Sequence, residues 1–138
     1  MSKKELEEGL AFTPKFDSDG LIPAIAQDAT SGGILMMAYM NRDALDITIK
    51  TGYATYFSRS RKKLWKKGEE SGHFQKVRQI LVDCDQDCLV LRVTVDAGQC
   101  HTGYQSCFYR ALKPGSSTKL QLVAQKVFDP GQAYKKST

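Results

Sequence analysis

One short segment, residues 83–108, constrains this chain more than any other. It contains all four cysteines of the 138 residues, Cys84, Cys88, Cys100 and Cys107, together with three closely spaced aspartates and one of the two histidines. Thiolates favour zinc-like ions, whereas carboxylates favour magnesium-like ions. The segment therefore predicts an enzyme site with two different metals, and the fold must bring their ligands together.

Of the three cysteines considered as zinc ligands, Cys100 and Cys107 are close in sequence, whereas Cys84 is distant from both. Six residues that include Gly103 separate Cys100 from Cys107, so one loop can bring both thiols to a single ion. Cys84 precedes Cys100 across an alternating strand pattern and must come from another segment or another chain. Three thiolates with an open position would form a catalytic zinc site, whereas His101 as a fourth ligand would close it into a structural one. Cys88 begins the strand pattern and is interpreted as a small apolar residue.

Asp83, Asp85 and Asp87 alternate along the chain. On a strand, this spacing places all three on one face and Cys84 on the other. Three like charges repel one another, so Ca²⁺ or Mg²⁺ between them is the functional interpretation. A solvated acidic turn is the alternative.

Composition limits the class of protein. The chain is 41% hydrophobic and 25% charged, which is typical of a folded domain, and residues 1–138 are expected to form one. Its charged beginning lacks the apolar core of a signal peptide, and no stretch is long enough to span a membrane. We therefore expect a cytoplasmic protein with no membrane partner, in which cysteines are ligands more often than disulfides.

The net charge of +5 is concentrated in residues 59–67. Such a segment indicates either a solvated basic loop that can bind nucleic acid or a site for a phosphorylated small molecule. Charge alone does not separate the two.

Hydrophobic patterning predicts an α+β, β-rich fold with one or two helices. Asn41 is a suitable N-cap and Gly52 a suitable stop for a helix over residues 42–51. Apolar or β-branched content predicts a short helical lead-in within residues 1–14, a hairpin of strands 21–26 and 34–40, and further strands at 53–58, 74–83, 89–95, 108–112 and 120–128.

Several motifs together resemble the phosphoribosyl-AMP cyclohydrolase family of histidine biosynthesis, over about residues 21–134. They are residues 22–28 (IPAIAQD), 37–41 (MAYMN), 58–61 (SRSR), 64–72 (LWKKGEESG), 83–87 (DCDQD) and 100–108 (CHTGYQSCF). Their combination is specific, whereas each one alone is weak.

The resemblance implies hydrolysis of the N1–C6 bond of the adenine ring of phosphoribosyl-AMP, which opens the ring. It also implies an open, barrel-like sheet and a homodimer with its zinc site at the subunit interface. The implied zinc ligands are Cys84, Cys100 and Cys107, and the implied magnesium ligands are Asp83, Asp85 and Asp87.

In this interpretation zinc-bound hydroxide attacks C6 and a histidine accepts the proton. His101 is the first candidate because it adjoins Cys100, and His73 is the second. The substrate carries two phosphates, which basic residues and glycine backbones can hold. The candidate substrate-binding residues are Arg59, Arg61, Trp65, Lys67, Gly68, Glu69 and Ser71.

Two rival functions remain at this point. A zinc nucleobase deaminase performs related chemistry, but its His-x-Glu and Pro-Cys-x-x-Cys signature is missing. A zinc module that binds nucleic acid through the basic segment predicts a closed metal site and no turnover. The family resemblance favours a small nucleotide as the partner instead of nucleic acid.

Overall fold

The computed structural model describes residues 1–96, 98–115 and 118–131, and two helices and eight strands lie in this part of the chain. In chain order they are α1 (Lys3–Glu8), β1 (Ile22–Asp28), β2 (Ile34–Met40), α2 (Arg42–Thr51), β3 (Thr55–Ser58), β4 (Lys63–Lys66), β5 (Lys76–Val82), β6 (Leu89–Thr94), β7 (Arg110–Leu112) and β8 (Leu120–Leu122). No helix in these described ranges is long and apolar enough to cross a membrane.

Six of the strands form one curled, half-barrel sheet in the order β4-β3-β2-β1-β6-β5. Neighbours are antiparallel except β1 and β6, which run parallel and bring the second half of the chain beside the first. Strands β7 and β8 form a separate antiparallel pair. The α+β, β-rich fold with a barrel-like sheet is confirmed.

The core lies on one face of this sheet. Alternate residues of β6, Leu89, Leu91 and Val93, are completely buried, as are Ala24 and Ala26 on the neighbouring β1. Backbone hydrogen bonds set the spacing of the two strands, and their small and large side chains together fill the buried face. Because side chains alternate between the faces of a strand, the period-two pattern in the sequence predicted this burial correctly.

Helix α2 agrees with its predicted bounds, and both predicted caps are present. Asn41 Oδ1 accepts a hydrogen bond from the Ala44 N–H at 2.8 Å, and Gly52 ends the helix in the left-handed conformation. Thr48 fixes the helix to β3, since its Oγ1 donates to Ala44 O and accepts from the Thr55 N–H at 2.9 Å. The short helical lead-in is also confirmed, as α1.

One expectation needs correction: the strand expected over 120–128 ends at Leu122, since its partner β7 has only three residues. The basic segment is only partly a loop, because residues 63–66 form β4 and pair with β3 across a tight turn. Residues 83–88 form the turn between β5 and β6, so the turn and not the strand is the correct alternative for the aspartates; the chain must reverse there for the two strands to pair. Pro114 and Gly115 also predict a turn over residues 113–117, of which residues 116 and 117 lie outside the described residues.

Candidate active site with two groups of metal ligands

The loop that follows β6 folds back on itself and carries two of the predicted zinc ligands. The Cys100 N–H donates to Tyr104 O at 3.0 Å, and the Cys107 N–H donates to Leu35 O of β2 at 2.7 Å. Gly103 makes the reversal at φ 101°, where a Cβ would lie 2.6 Å from Phe128 O. The loop is therefore anchored to the sheet at one end and enclosed by the C-terminal segment at its tip.

This loop brings the thiols of Cys100 and Cys107 together. Burial, together with the charge of Cys100 and a hydrogen bond with its thiol, raises the pKa of Cys107 to about 12, and the charge of Lys67 opposes this shift. Cys100 is buried, and its Sγ lies 2.8 Å from Thr102 Oγ1. Two crowded thiols are a donor pair that fits zinc, which binds cysteines as thiolates.

Cys84 lies in a different part of the molecule. It is exposed, at the turn after β5, and lines a cavity of about 260 Å³ together with the N-terminal segment. Cys107 lines another cavity, and within the described ranges no group of three close ligands joins Cys84 to Cys100 and Cys107. A single chain thus holds two of the predicted zinc ligands in one place and the third in another. Cys88 is half-buried, and its Sγ faces Leu89 O at 3.9 Å.

The aspartate turn gathers three carboxylates although it is not a strand. One oxygen each from Asp83, Asp85 and Asp87 lies within 4.8 Å of the others, the only such trio of ligands in the described part of the chain. Asp83 Oδ1 accepts from the N–H groups of Asp87 and Cys88, which fixes the turn.

The closeness of the three carboxylates shifts the pKa values of two of them. Hydrogen bonding with Asp85 and Asp83, together with their charges, raises the pKa of Asp87 to about 6. Hydrogen bonds from the side chain of Asp87 and from the turn's backbone lower the pKa of Asp83 despite an opposing contribution from burial. A bound cation would relieve this repulsion, so the oxygen set fits Mg²⁺ or Ca²⁺.

A cavity of about 290 Å³ collects most of the other predicted residues. The predicted residues that line it are Arg61, Trp65, Lys67, Gly68, Glu69, Ser71, His101 and Cys107. Arg59 is the substrate-binding candidate that does not line it. This residue lies in an adjoining groove that shares Arg61 and Trp65 with the cavity, and its guanidinium stacks over the Tyr39 ring at 4.1 Å. The thiol of a predicted zinc ligand and basic side chains thus line one cavity, with a second basic region next to it.

The wall of this cavity contains a tight turn at Gly68. Its φ is 96°, and a Cβ there would lie 2.5 Å from the Phe74 nitrogen. The Gly72 N–H closes the turn on Gly68 O at 2.7 Å. The sequence predicted glycine here for close backbone approach to a phosphate, and the structure adds a reason internal to the chain, the contact with residues 73 and 74.

The two histidines differ in their surroundings. His101 is exposed and lines the cavity with Cys107. His73 does not line it; its half-buried ring meets the Phe128 ring edge-on, with centroids 4.7 Å apart. Of the two, His101 has access to the space in which a substrate would lie.

Behind the cavity lies a buried polar chain that the sequence did not reveal. Tyr56 Oη donates to Gln75 Oε1 at 2.6 Å, and Gln75 Nε2 donates to Gln99 Oε1 at 2.9 Å. Lys67 Nζ donates to the Gln99 carbonyl at 2.8 Å. Burial lowers the pKa of Lys67, and the thiols of Cys107 and Cys100 oppose this. Because Gln99 precedes Cys100, this series of hydrogen bonds links the thiol loop to β3. Single glutamines form no sequence pattern, so the sequence could not have predicted their role.

Comparison with known proteins identifies the family of this chain. A family model described as phosphoribosyl-AMP cyclohydrolase matches residues 36–109. Phosphoribosyl-AMP cyclohydrolase from Methanococcoides burtonii is 56% identical over 122 residues, covering 88% of this chain and 96% of the relative. The protein of that name from Rhodopseudomonas palustris strain BisB5 is 52% identical over 135 residues, covering 96% and 92%. The matched range includes the cavity, the aspartate turn and the thiol loop, and the chain belongs to the phosphoribosyl-AMP cyclohydrolase family.

Proposed function

We propose that this chain is a hydrolase that opens the adenine ring of phosphoribosyl-AMP at the N1–C6 bond, as a step of histidine biosynthesis. The observation that carries the proposal is the cavity in which Cys107, His101 and the basic segment meet. Family membership over more than half of the chain supports the same reaction. The product is the ring-opened phosphoribosyl-formimino aminoimidazole carboxamide ribotide.

We further propose zinc held by Cys84, Cys100 and Cys107, with two ligands from one subunit and Cys84 from the other subunit of a homodimer. The separation of Cys84 from the other two thiols supports this sharing. Exposed apolar side chains on β5, β7 and β8 supply surface suited to a subunit contact, among them Leu81, Leu112, Leu120 and Leu122.

When bound, zinc would acidify a water molecule that serves as the nucleophile toward C6. His101 accepts the proton released in that attack, because it faces the cavity while His73 packs against Phe128. The attack makes C6 tetrahedral. His101 then returns the proton to N1 as the C6–N1 bond breaks, so that C6 keeps the oxygen as a carboxamide and one water has been added across the opened bond.

The remaining residues position the substrate. Magnesium on Asp83, Asp85 and Asp87 of the subunit that supplies Cys84 is proposed to bind one of the two phosphates, since the aspartate turn does not line the cavity of its own chain. Arg61 is proposed to bind the other, because it borders both the cavity and the groove that contains Arg59. The proposed contacts to the base and ribose come from the other cavity-lining candidates, Trp65, Lys67, Gly68, Glu69 and Ser71.

The test is turnover of phosphoribosyl-AMP, followed by the absorbance change on ring opening. We expect Cys107→Ser to abolish turnover and the tightly held zinc with the fold retained, and Asp85→Asn to keep zinc but weaken the dependence on magnesium. Elemental analysis and thermal melting are measured on the same samples. Zinc loss in the Asp85 variant would show that the two sites are not independent, and absent turnover in the zinc- and magnesium-loaded wild type would contradict the proposed reaction.

A nucleic-acid-binding zinc module predicts the opposite pattern, with steeply salt-dependent binding and no turnover. The cavity favours the small substrate, because the basic side chains converge on one cavity that is also lined by a thiol and a histidine. A cytoplasmic location stays a prediction, which fractionation of the cells would check.

A further inference from the structure

A single side chain, that of Gln86, fastens the N-terminal segment to the aspartate turn. Its Nε2 donates to the carbonyls of Leu6 and Ala11, each at 3.1 Å, and its Oε1 accepts from the Thr13 N–H at 2.7 Å. The Gln86 carbonyl also accepts from the Lys15 N–H at 2.7 Å. Gln86 is 6% exposed, so these bonds are shielded from competing water.

The backbone of Gln86 is part of the turn that carries the carboxylates. Its φ of 60° lies in the left-handed region, which residues other than glycine rarely adopt. Its N–H donates to Asp83 O at 3.0 Å, and the two N–H groups that follow it, of Asp87 and Cys88, bond Asp83 Oδ1. The direction of the carboxylates therefore depends on a conformation that Gln86 must be held in.

The segment that Gln86 binds lies outside the matched family range of residues 36–109. It also lines the cavity that contains Asp83 and Cys84, through Leu6, Leu10 and Phe12 among others. The helix at its start, α1, buries none of its side chains. The attachment therefore rests on the hydrogen bonds of Gln86 and on the walls of this cavity and not on a contact of α1 with the core.

We propose that Gln86 is a positioning residue that uses the N-terminal segment, residues 6–15, to hold the aspartate turn in the geometry that binds a divalent cation. The proposal rests on the magnesium site of the proposed function. Residues that orient metal ligands typically change the affinity about 10- to 100-fold when they are replaced. Locking a turn of like-charged carboxylates before the cation arrives reduces the ordering that binding must impose.

The test measures the affinity for Mn²⁺, as a spectroscopic substitute for Mg²⁺, by the loss of the free-ion electron paramagnetic resonance signal. Gln86→Gly keeps the left-handed backbone accessible and removes the side chain. Lys62→Gly is the matched control, because Lys62 is the other described non-glycine residue at positive φ and lies in the exposed turn between β3 and β4. We expect about 10-fold weaker Mn²⁺ binding for Gln86→Gly and no change for Lys62→Gly.

A second pair of variants asks whether Gln86 acts through the N-terminal segment. Deletion of residues 1–12 removes both acceptor carbonyls, and Thr13→Pro removes the N–H bonded to Oε1 within the full-length chain. Each should weaken Mn²⁺ binding. Combining the deletion with Gln86→Gly should weaken it no further than either change alone, because both break the same contact.

The outcomes distinguish failure of this proposal from failure of the proposed magnesium site. Unchanged Mn²⁺ affinity in Gln86→Gly, with an unchanged melting temperature, overturns the proposal. If Gln86→Gly weakens Mn²⁺ binding but the deletion and Thr13→Pro variants bind Mn²⁺ as the wild type does, the role of the N-terminal segment is overturned. If the wild type and Asp85→Asn bind Mn²⁺ equally well, the proposed magnesium site at the aspartate turn is contradicted.

Discussion

At the scale of single residues, His101 and His73 offer a direct comparison, because only His101 lines the cavity. We expect His101→Asn to lower kcat by roughly 10²–10⁴, the usual contribution of a general base. Zinc content, measured on the same sample, should not change. His73→Asn is the control, with a smaller effect through its packing on Phe128.

Two results would contradict this assignment. Zinc loss in parallel with activity in His101→Asn would make His101 a ligand and the site closed. A greater loss of kcat in His73→Asn than in His101→Asn would make His73 the base.

Asp87 gives the site a measurable pH dependence. Its pKa of about 6 in the folded chain lies above the ordinary value for aspartate, so the folded protein binds a proton that the unfolded chain has released. This contribution to stability is fully present below about pH 4 and is lost as the pH rises through about 6. Since a cation needs the ionised carboxylates, we expect Mg²⁺ to raise the melting temperature more at pH 7.5 than at pH 5.

Thermal melts with and without Mg²⁺ at the two pH values measure this difference, on protein with its zinc content held constant. Asp87→Asn removes the titrating group and should abolish the pH dependence of the Mg²⁺ effect. An equal rise at both pH values in the wild type would show that this carboxylate does not compete with protons for the cation.

At the scale of elements, the turn at Gly68 connects β4 to the rest of the cavity wall. Gly68→Ala adds a Cβ at φ 96° that meets the Phe74 nitrogen at 2.5 Å, whereas Gly20→Ala adds one at φ 76° with no atom within 4 Å. We expect Gly20→Ala to cost about 1–2 kcal/mol, from the left-handed backbone alone. Gly68→Ala should cost more and also reduce turnover, because the turn must shift.

Urea unfolding of the two variants measures the free energies, and turnover is assayed alongside. The comparison isolates the close contact, since both positions share the left-handed conformation. Equal free energies of unfolding in the two variants would mean that the contact of residue 68 with Phe74 relaxes without cost.

At the scale of the whole molecule, the position of Cys84 makes a prediction about subunits. Cys84→Ala and Cys107→Ala are prepared separately, shown to be inactive, then unfolded, mixed equally and refolded with zinc. If each zinc site takes ligands from both chains, a mixed dimer has one site with both lesions and one with none. Random pairing makes about half of the dimers mixed, so about a quarter of wild-type activity should return.

If one chain supplied all three ligands, every site of a mixed dimer would keep a lesion and no activity would return. Native mass spectrometry confirms that mixed dimers are present. Their presence without activity would refute the shared site and leave the zinc chemistry intact.

The sequence alone determined the features that depend on neighbours along the chain. The caps of α2 at Asn41 and Gly52, the strand alternation of β6 and the donor types at the site follow from local spacing and chemistry. Gly103 between two cysteines also predicted that their loop would reverse, because short loops bring their ends together at little entropic cost. These inferences need no knowledge of which strands are adjacent.

Only the tertiary structure decided which groups meet across the chain. Spacing left a strand and a turn open for the aspartates. Pairing of β5 with β6 requires the turn, and the carboxylates converge through it. Parallel pairing of β6 with β1 fixes where the thiol loop emerges, and contacts distant in sequence set Gln75 beside Gln99 and Gln86 beside Thr13. Single polar residues have no periodicity to reveal such partners, because their positions follow from the packing of the sheet.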